Sequence, residues 1–399
     1  MKTPSLLLAA FALALLAGCG SSEDSTTGGD SDSPSAKVDL PPKAMSGSDM
    51  GAVEKAVATP AKLLVNEGSA AYFGIWDPKK GSFEKAYGKA SKEGPAATTE
   101  DFIQIGSVTK TFTATVILQL VEEGRLALSE TVAEADPELA EEFKPLADLT
   151  IEELISMHSG IPDYLNVPDG IVRAISEEPK KVWKAEELIA GALKGKVEKP
   201  GTGGYSTTNM IALQLIAEKV TGEGLEDLIA SRVAEPLGIT NTVLPPPDDT
   251  SLPSPGTHGY VNPAGSAEFK AEGAVVKPGT DTTDWSGSFA QGGGGMRSTL
   301  HELGIWGASM VGNSLLPEDL AAERLKTKPI PLAGKYGLGI QQIGSWYGHG
   351  GETFGWENLT LHDPKSGVTV VVATNSVAGG ATVASSIIIG ALYPNSPLE

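Results

Sequence analysis

Residues 106–110 read Gly106-Ser107-Val108-Thr109-Lys110, "GSVTK", and run on as "TFTATVILQLVEEG" to Gly124. Phe112, Val116, Ile117, Leu120 and Val121 recur at helical spacing, so the run predicts a helix with one apolar face that stops at Gly124. Ser107 and Lys110 open that helix. Three residues is close to one turn, which puts the hydroxyl and the amine on one face. A serine hydroxyl becomes a nucleophile when a base removes its proton, and a lysine serves as that base when burial or a neighbouring charge lowers its pKa. The free N–H groups of a helix start favour the negative charge that develops. Ser-x-x-Lys also occurs at Ser82 to Lys85, but in a strand-like run, where residues three apart point to opposite faces.

Outward from this helix, "SAAYFGIW" (69–76) and "SFEKAYG" (82–88) are strand-like and joined by the turn "DPKKG", after a short helix expected near Met50 to Ala58. Towards the other end, "GSWYGHG", "ENLTLHD" and "VTVVVAT" are three further strands, followed by a helix near Thr382 to Leu392. The stretches "IEELISMHS", "AEELIAGALKG", "NMIALQLIAEKVTG" and "LEDLIASRVAEPLG" between them read as helices. Strands at both ends with helices between predict an α/β chain of the α+β type. An antiparallel sheet is assembled from both termini, with flanking helices and an inserted, mainly helical lobe. The expected division is a lobe from about 51–106 and 270–395 and a helical lobe at about 107–269.

Two more segments carry chemistry. In "PGTGGYSTTN", Tyr205 sits in a Gly-rich loop just before a helix, where a phenol can shuttle protons. In "YGHGGETFGW", His349 precedes two glycines on a strand edge, where a substrate backbone can approach closely. His158, His258, His301 and His362 show no metal-ligand spacing, so no metal is expected, and an acyl-enzyme route calls for no organic cofactor.

Ser-x-x-Lys on a helix start, Tyr-Ser-x-x-Asn about a hundred residues later, and His-x-Gly on a late strand occur here in that order. The chain thereby resembles the serine penicillin-recognising enzymes, in the branch of class C beta-lactamases and D-alanyl-D-alanine carboxypeptidases. The likeness runs from about Ala61 to Ala391 and includes "IGSVTKTFTATVILQLVEEGRLAL", "SMHSGIPDY" and "GLGI". It implies the beta-lactamase/transpeptidase-like fold, with Ser107 as acylated nucleophile, Lys110 as its base, Tyr205 as proton carrier and His349 where relatives have Lys or His. The backbone N–H groups of Ser107 and Glu352 would form the oxyanion hole. Thr207, Asn209, Trp285, Gln341, Gly350 and Gly351 would surround the substrate.

Three departures bear on that substrate. Thr207 stands where relatives often have Asn, Gly350 where they have a hydroxyl, and Gln341 where the carboxypeptidase branch has an arginine for the substrate carboxylate. A bidentate arginine is among the stronger polar contacts, and its loss points away from tight selectivity for free D-Ala-D-Ala ends. The leading expectation is a D-Ala-D-Ala carboxypeptidase or related cell-wall peptidase that binds penicillin, taking a cell-wall peptide, a small acyl substrate or a beta-lactam. The alternatives are an esterase, a class C-like beta-lactamase, or a non-catalytic wall-binding or antibiotic-sensing lipoprotein. An α/β-hydrolase would need a Gly-x-Ser-x-Gly elbow, which the chain lacks.

The N-terminus reads as an address. Lys2 and the apolar run Leu6 to Leu16 are too short to span a bilayer, and Leu16-Ala17-Gly18-Cys19 resembles a bacterial lipobox. Residues 1–18 are expected to be a lipoprotein signal and Cys19, the chain's single cysteine, a lipid attachment site at the outer face of the cell membrane. Residues 19–50 are expected to form a disordered tether, because their Ser, Asp and Gly bury too little to offset chain entropy. The domain proper spans 51–399 and is expected to be monomeric. Thirty Lys and Arg against fifty Asp and Glu give a net charge of -20, which disfavours nucleic acid as a partner.

Overall fold

The computed structural model describes residues 38–398 apart from 66–68, 168–170, 272, 332 and 378–379. Cys19 and the export signal lie outside the described residues. Strand β1 (Ala70–Asp77) is buried along its whole length. Its alternate residues feed two cores: Ala70, Tyr72 and Trp76 pack on one face, Ala71, Phe73 and Ile75 on the other. The unbroken apolar run thus marks a strand covered on both sides.

Strand β2 (Gly81–Gly88) forms the expected hairpin with β1, and Ser82 and Lys85 lie on this strand, not at the head of a helix. The C-terminal half supplies β3 (Lys328–Ile330), β4 (Gly334–Tyr336), β5 (Gln341–Ile343), β6 (Trp346–Glu352), β7 (Glu357–Asp363) and β8 (Val368–Thr374). They complete one eight-stranded sheet in the order β2-β1-β8-β7-β6-β5-β4-β3, antiparallel at every pairing. The termini meet where β1 pairs with β8, Ala71 opposite Thr374. The mixed α/β architecture expected from the sequence is the one observed.

Helix α1 (Gly47–Leu64) and the C-terminal helix 380–392 cover one face through Val53, Val57, Ile388 and Ile389. α1 is twice as long as expected and passes through the buried Pro60. The segment before it is not all tether: Met45 N–H donates to Ser82 O and Ser82 N–H to Lys43 O, both at 2.9 Å.

The other face carries α2 (Thr109–Glu122), entered through a 3₁₀ turn at Gly106–Val108. α2 is buried nearly all round, not on one face as expected. Its threonines make this affordable by turning their hydroxyls back to carbonyls: Thr111 to Val108, Thr115 to Thr111 and Thr113 to Gly292. α5 (Thr207–Thr221) packs directly on α2, α3 (Ile151–Ile155) and α4 (Ala185–Ala192) pack on α5, and Phe112 stacks 3.8 Å from Trp306 of α6 (Leu300–Ser309). α5 ends at Gly222, whose φ of 79° makes it the left-handed cap.

Candidate active site

The site forms where the turn into α2 meets the edge of β6. Gly106 has φ 51°, and a Cβ there would lie 2.5 Å from Glu352 N; a Cβ on Gly351 would lie 1.9 Å from Ile105 O. Both positions need glycine, because the two backbones touch with no side chain between them. Along β6 successive N–H groups face opposite sides. Gly350 N–H turns away from β7 to Gln341 Oε1 at 3.2 Å. Two residues on, Glu352 N–H faces that same side, where β5 has ended and the turn carrying Ser107 approaches.

Ser107 is half-buried, and its Oγ lies 2.9 Å from Lys110 Nζ. Nζ also donates to Gly293 O at 2.6 Å. Lys110 has no exposed surface, and desolvation lowers its pKa to about 7 against the opposing pull of Asp163. The amine is therefore largely neutral just above neutrality, with one N–H for Gly293 O and a lone pair for the serine hydroxyl. The Tyr205 phenol neighbours Ser107 in the cleft, and its ring lies 5.1 Å from Nζ. Burial, then Tyr336, push its pKa well above the usual range, so it keeps its proton.

His349 is also in the site but is engaged at both nitrogens. Nδ1 contacts Gly350 O, a pure acceptor, and so carries the proton. Nε2 then accepts from Tyr336 Oη at 3.1 Å. Desolvation, then the Lys110 charge, lower its pKa to about 3, so the ring is neutral. A cleft of about 930 Å³ joins Ser107, Tyr205, Thr207, Gln341 and residues 349–352.

Two expected substrate contacts lie elsewhere. Asn209 is buried within α5; its Oδ1 accepts from Ser159 Oγ and its Nδ2 donates to Leu154 O, so it braces the helix and does not line the cleft. Trp285 stands one layer behind, 4.9 Å from Phe354, while Phe354 itself, Phe269 and Phe289 form the cleft's aromatic wall. Sequence reasoning missed Asp163, Tyr336 and this wall. Asp163 fell within the quoted "SMHSGIPDY" but had no local pattern to single it out. Among the described residues no group of three or more His, Cys, Asp or Glu could hold a metal, and no helix is long and apolar enough to cross a membrane.

A serine paired with a buried lysine at the head of a central helix, beside the end of an inner strand of an antiparallel sheet, defines a serine hydrolase of the beta-lactamase fold. The chain belongs to that family: the model described as Beta-lactamase matches residues 64–389. It is similar to esterase EstB from Burkholderia gladioli, 25% identical over 313 residues, covering 72% of this chain and 74% of the esterase. A D-aminopeptidase from Cereibacter sphaeroides is 27% identical over 74% of this chain, which spans only 54% of that protein. Among solved structures, a D-stereospecific amidohydrolase from Streptomyces sp. superposes with a TM-score of 0.72 at 25% identity, covering 86% of this chain and 98% of the amidohydrolase.

Proposed function

We propose that the chain hydrolyses esters and amides of small acyl groups, D-aminoacyl groups among them, through an acyl-enzyme on Ser107. The observation that carries this is the cleft itself: beside the Ser107 and Lys110 pair it has an aromatic wall, and among the described residues no arginine lines it. The relatives named as esterase, D-aminopeptidase and D-stereospecific amidohydrolase support the same substrate range. Lys110 takes the hydroxyl proton as Ser107 Oγ bonds to the acyl carbon, and the Ser107 and Glu352 N–H groups hold the oxyanion. Tyr205 passes a proton to the departing oxygen or nitrogen. Water then repeats the attack on the acyl-enzyme with the same groups and releases the acid.

The D-Ala-D-Ala carboxypeptidase reading remains second. Lys335 lines the cleft from β4 and supplies a cation that a terminal carboxylate could meet. The test is kcat/KM for a p-nitrophenyl ester, D-phenylalanine amide and an N-acylated D-Ala-D-Ala peptide, on the wild type and Ser107→Ala. Ester and amide are expected to lead, with all turnover lost in the variant. Preference for the peptide would reverse the two readings, and residual turnover by Ser107→Ala would sink the mechanism. We further infer export and lipid attachment at Cys19, on the apolar run Leu6 to Leu16 and the Leu16-Ala17-Gly18-Cys19 sequence.

A further inference from the structure

Asp163 lines the cleft although its surface is only 6% exposed. Its Oδ2 accepts from Thr207 N–H and from Thr207 Oγ1, each at 3.0 Å, and its Oδ1 accepts from Leu165 N–H at 3.1 Å. All three partners are donors. Burial raises its pKa above the usual carboxylate range, while these donors pull the other way, since a protonated carboxyl would press its own O–H against them. Thr207 is the first residue of α5 and the second past Tyr205. The loop around Asp163 is further laced to α5 where Tyr164 N–H donates to Thr208 Oγ1 and that hydroxyl donates to Pro162 O. The carboxylate is thereby tied to the start of α5, two residues past the phenol.

We propose that Asp163 is a positioning residue of this site: through Thr207 it holds the start of α5, and with it Tyr205, over Ser107, and its carboxylate biases the charge of Lys110. The inference rests on the acyl-enzyme reading above. The groups around the amine come from several elements: Ser107 from its own turn, Gly293 O from residues 291–294, the Tyr205 ring ahead of α5 and His349 from β6. Tyr336 lies behind Tyr205 and His349, and Arg324 bonds Thr111 and Thr115 on α2. Glu352 and Glu357 also line the cleft, but the Glu357 carboxylate receives the Gly380 and Ala381 N–H groups. Asp163 is the acid whose charge acts on Lys110. It stabilises the ammonium, so its removal makes the amine a weaker proton holder.

The test uses Asp163→Asn, Asp163→Glu and Thr207→Val, with kcat/KM measured from pH 4 to 9 on an ester whose leaving group needs no acid and on an amide whose leaving group does. Asp163→Asn should move the acid limb of the ester profile down by about one pH unit. It should also cost the amide roughly tenfold more than the ester, because the proton donor is displaced. Thr207→Val keeps the charge, so it should lower the amide-to-ester ratio with the limb in place; Asp163→Glu should likewise keep the limb. A folded Asp163→Asn protein with an unmoved limb and a lowered Tm would reduce Asp163 to a structural brace and overturn the proposal. Should Asp163→Asn fail to fold, an unchanged amide-to-ester ratio in Thr207→Val overturns it instead. Inactivity of the wild type on both substrates would strike the acyl-enzyme reading itself, before any variant is compared.

Discussion

Replacing Gly106 by alanine should disable the oxyanion hole while leaving the fold standing. The added Cβ would lie 2.5 Å from Glu352 N and 2.6 Å from Glu352 O, where even a tight contact needs 3.0–3.4 Å, so one backbone must give by about 0.5–0.9 Å. β6 is braced against moving, since Glu352 is paired with Glu357 of β7 and Gly351 already abuts Ile105 O. The turn carrying Ser107 is then the part that shifts. An N–H displaced by that much leaves hydrogen-bonding range of the oxyanion, and losing one such donor costs about 10²–10³ in kcat. The left-handed φ of 51° adds about 1–2 kcal/mol of strain. The assay is kcat and KM on a p-nitrophenyl ester with Tm followed in parallel. Gly191→Ala on α4, where a Cβ meets nothing within 4 Å, is the control and should stabilise by about 0.5–1 kcal/mol. A folded Gly106→Ala protein with kcat within about threefold of wild type would refute the assignment of the Ser107 and Glu352 N–H groups to the oxyanion.

Ester hydrolysis should fall about tenfold per pH unit below about 7, as Lys110 gains a proton and loses its lone pair. His349→Gln should leave that midpoint in place, because His349 titrates near 3; a moved midpoint would transfer the base role to the histidine. Gln341→Arg should raise kcat/KM for a free-carboxylate D-Ala-D-Ala peptide over its amidated analogue by roughly tenfold. The same change removes the acceptor of Gly350 N–H, so a loss of about 1–3 kcal/mol in stability should accompany it, and equal effects on both peptides would place Gln341 away from the carboxylate. Cys19→Ser should shift the protein from the membrane fraction to a soluble or unprocessed form; a wild type wholly soluble after export would contradict lipidation.

How far the fold could be read from the sequence follows from how local each signal is. The hairpin β1–β2 and strands β6 to β8 announce themselves by apolar runs bounded by turns, and α5 by its closing Gly222. Strands β3 to β5 gave no such signal. They are three residues each, and Pro329, Gly334, Gly337 and Gly339 interrupt the stretch that holds them. They are strands because β6 offers an edge for them to extend, and that edge exists only in the folded protein. The burial of α2 escapes the periodicity for a related reason. A threonine counts as polar in a periodicity, yet Thr111, Thr113 and Thr115 are all buried with their hydroxyls bonded to carbonyls.

The site divides along the same line. Ser107, Lys110, Tyr205 and His349 were found by their order along the chain, but order carries no information on which nitrogen of a histidine bears the proton. The Gly350 carbonyl and the Tyr336 hydroxyl decide that, and between them they occupy both nitrogens of a ring held neutral by burial. Proton traffic at Ser107 is thereby left to the pair with opposite displacements, Lys110 drawn down towards neutrality and Tyr205 pushed up. Those displacements share one cause, the exclusion of water from a pocket packed around α2, and one modulating charge, Asp163. Neither cause has a sequence signature: burial is set by helices more than a hundred residues apart, and Asp163 reaches the site through Thr207, forty-four residues later in the chain. A base that accepts and an acid that keeps its proton near neutral pH are, in this protein, products of packing laid over a motif that only names the atoms.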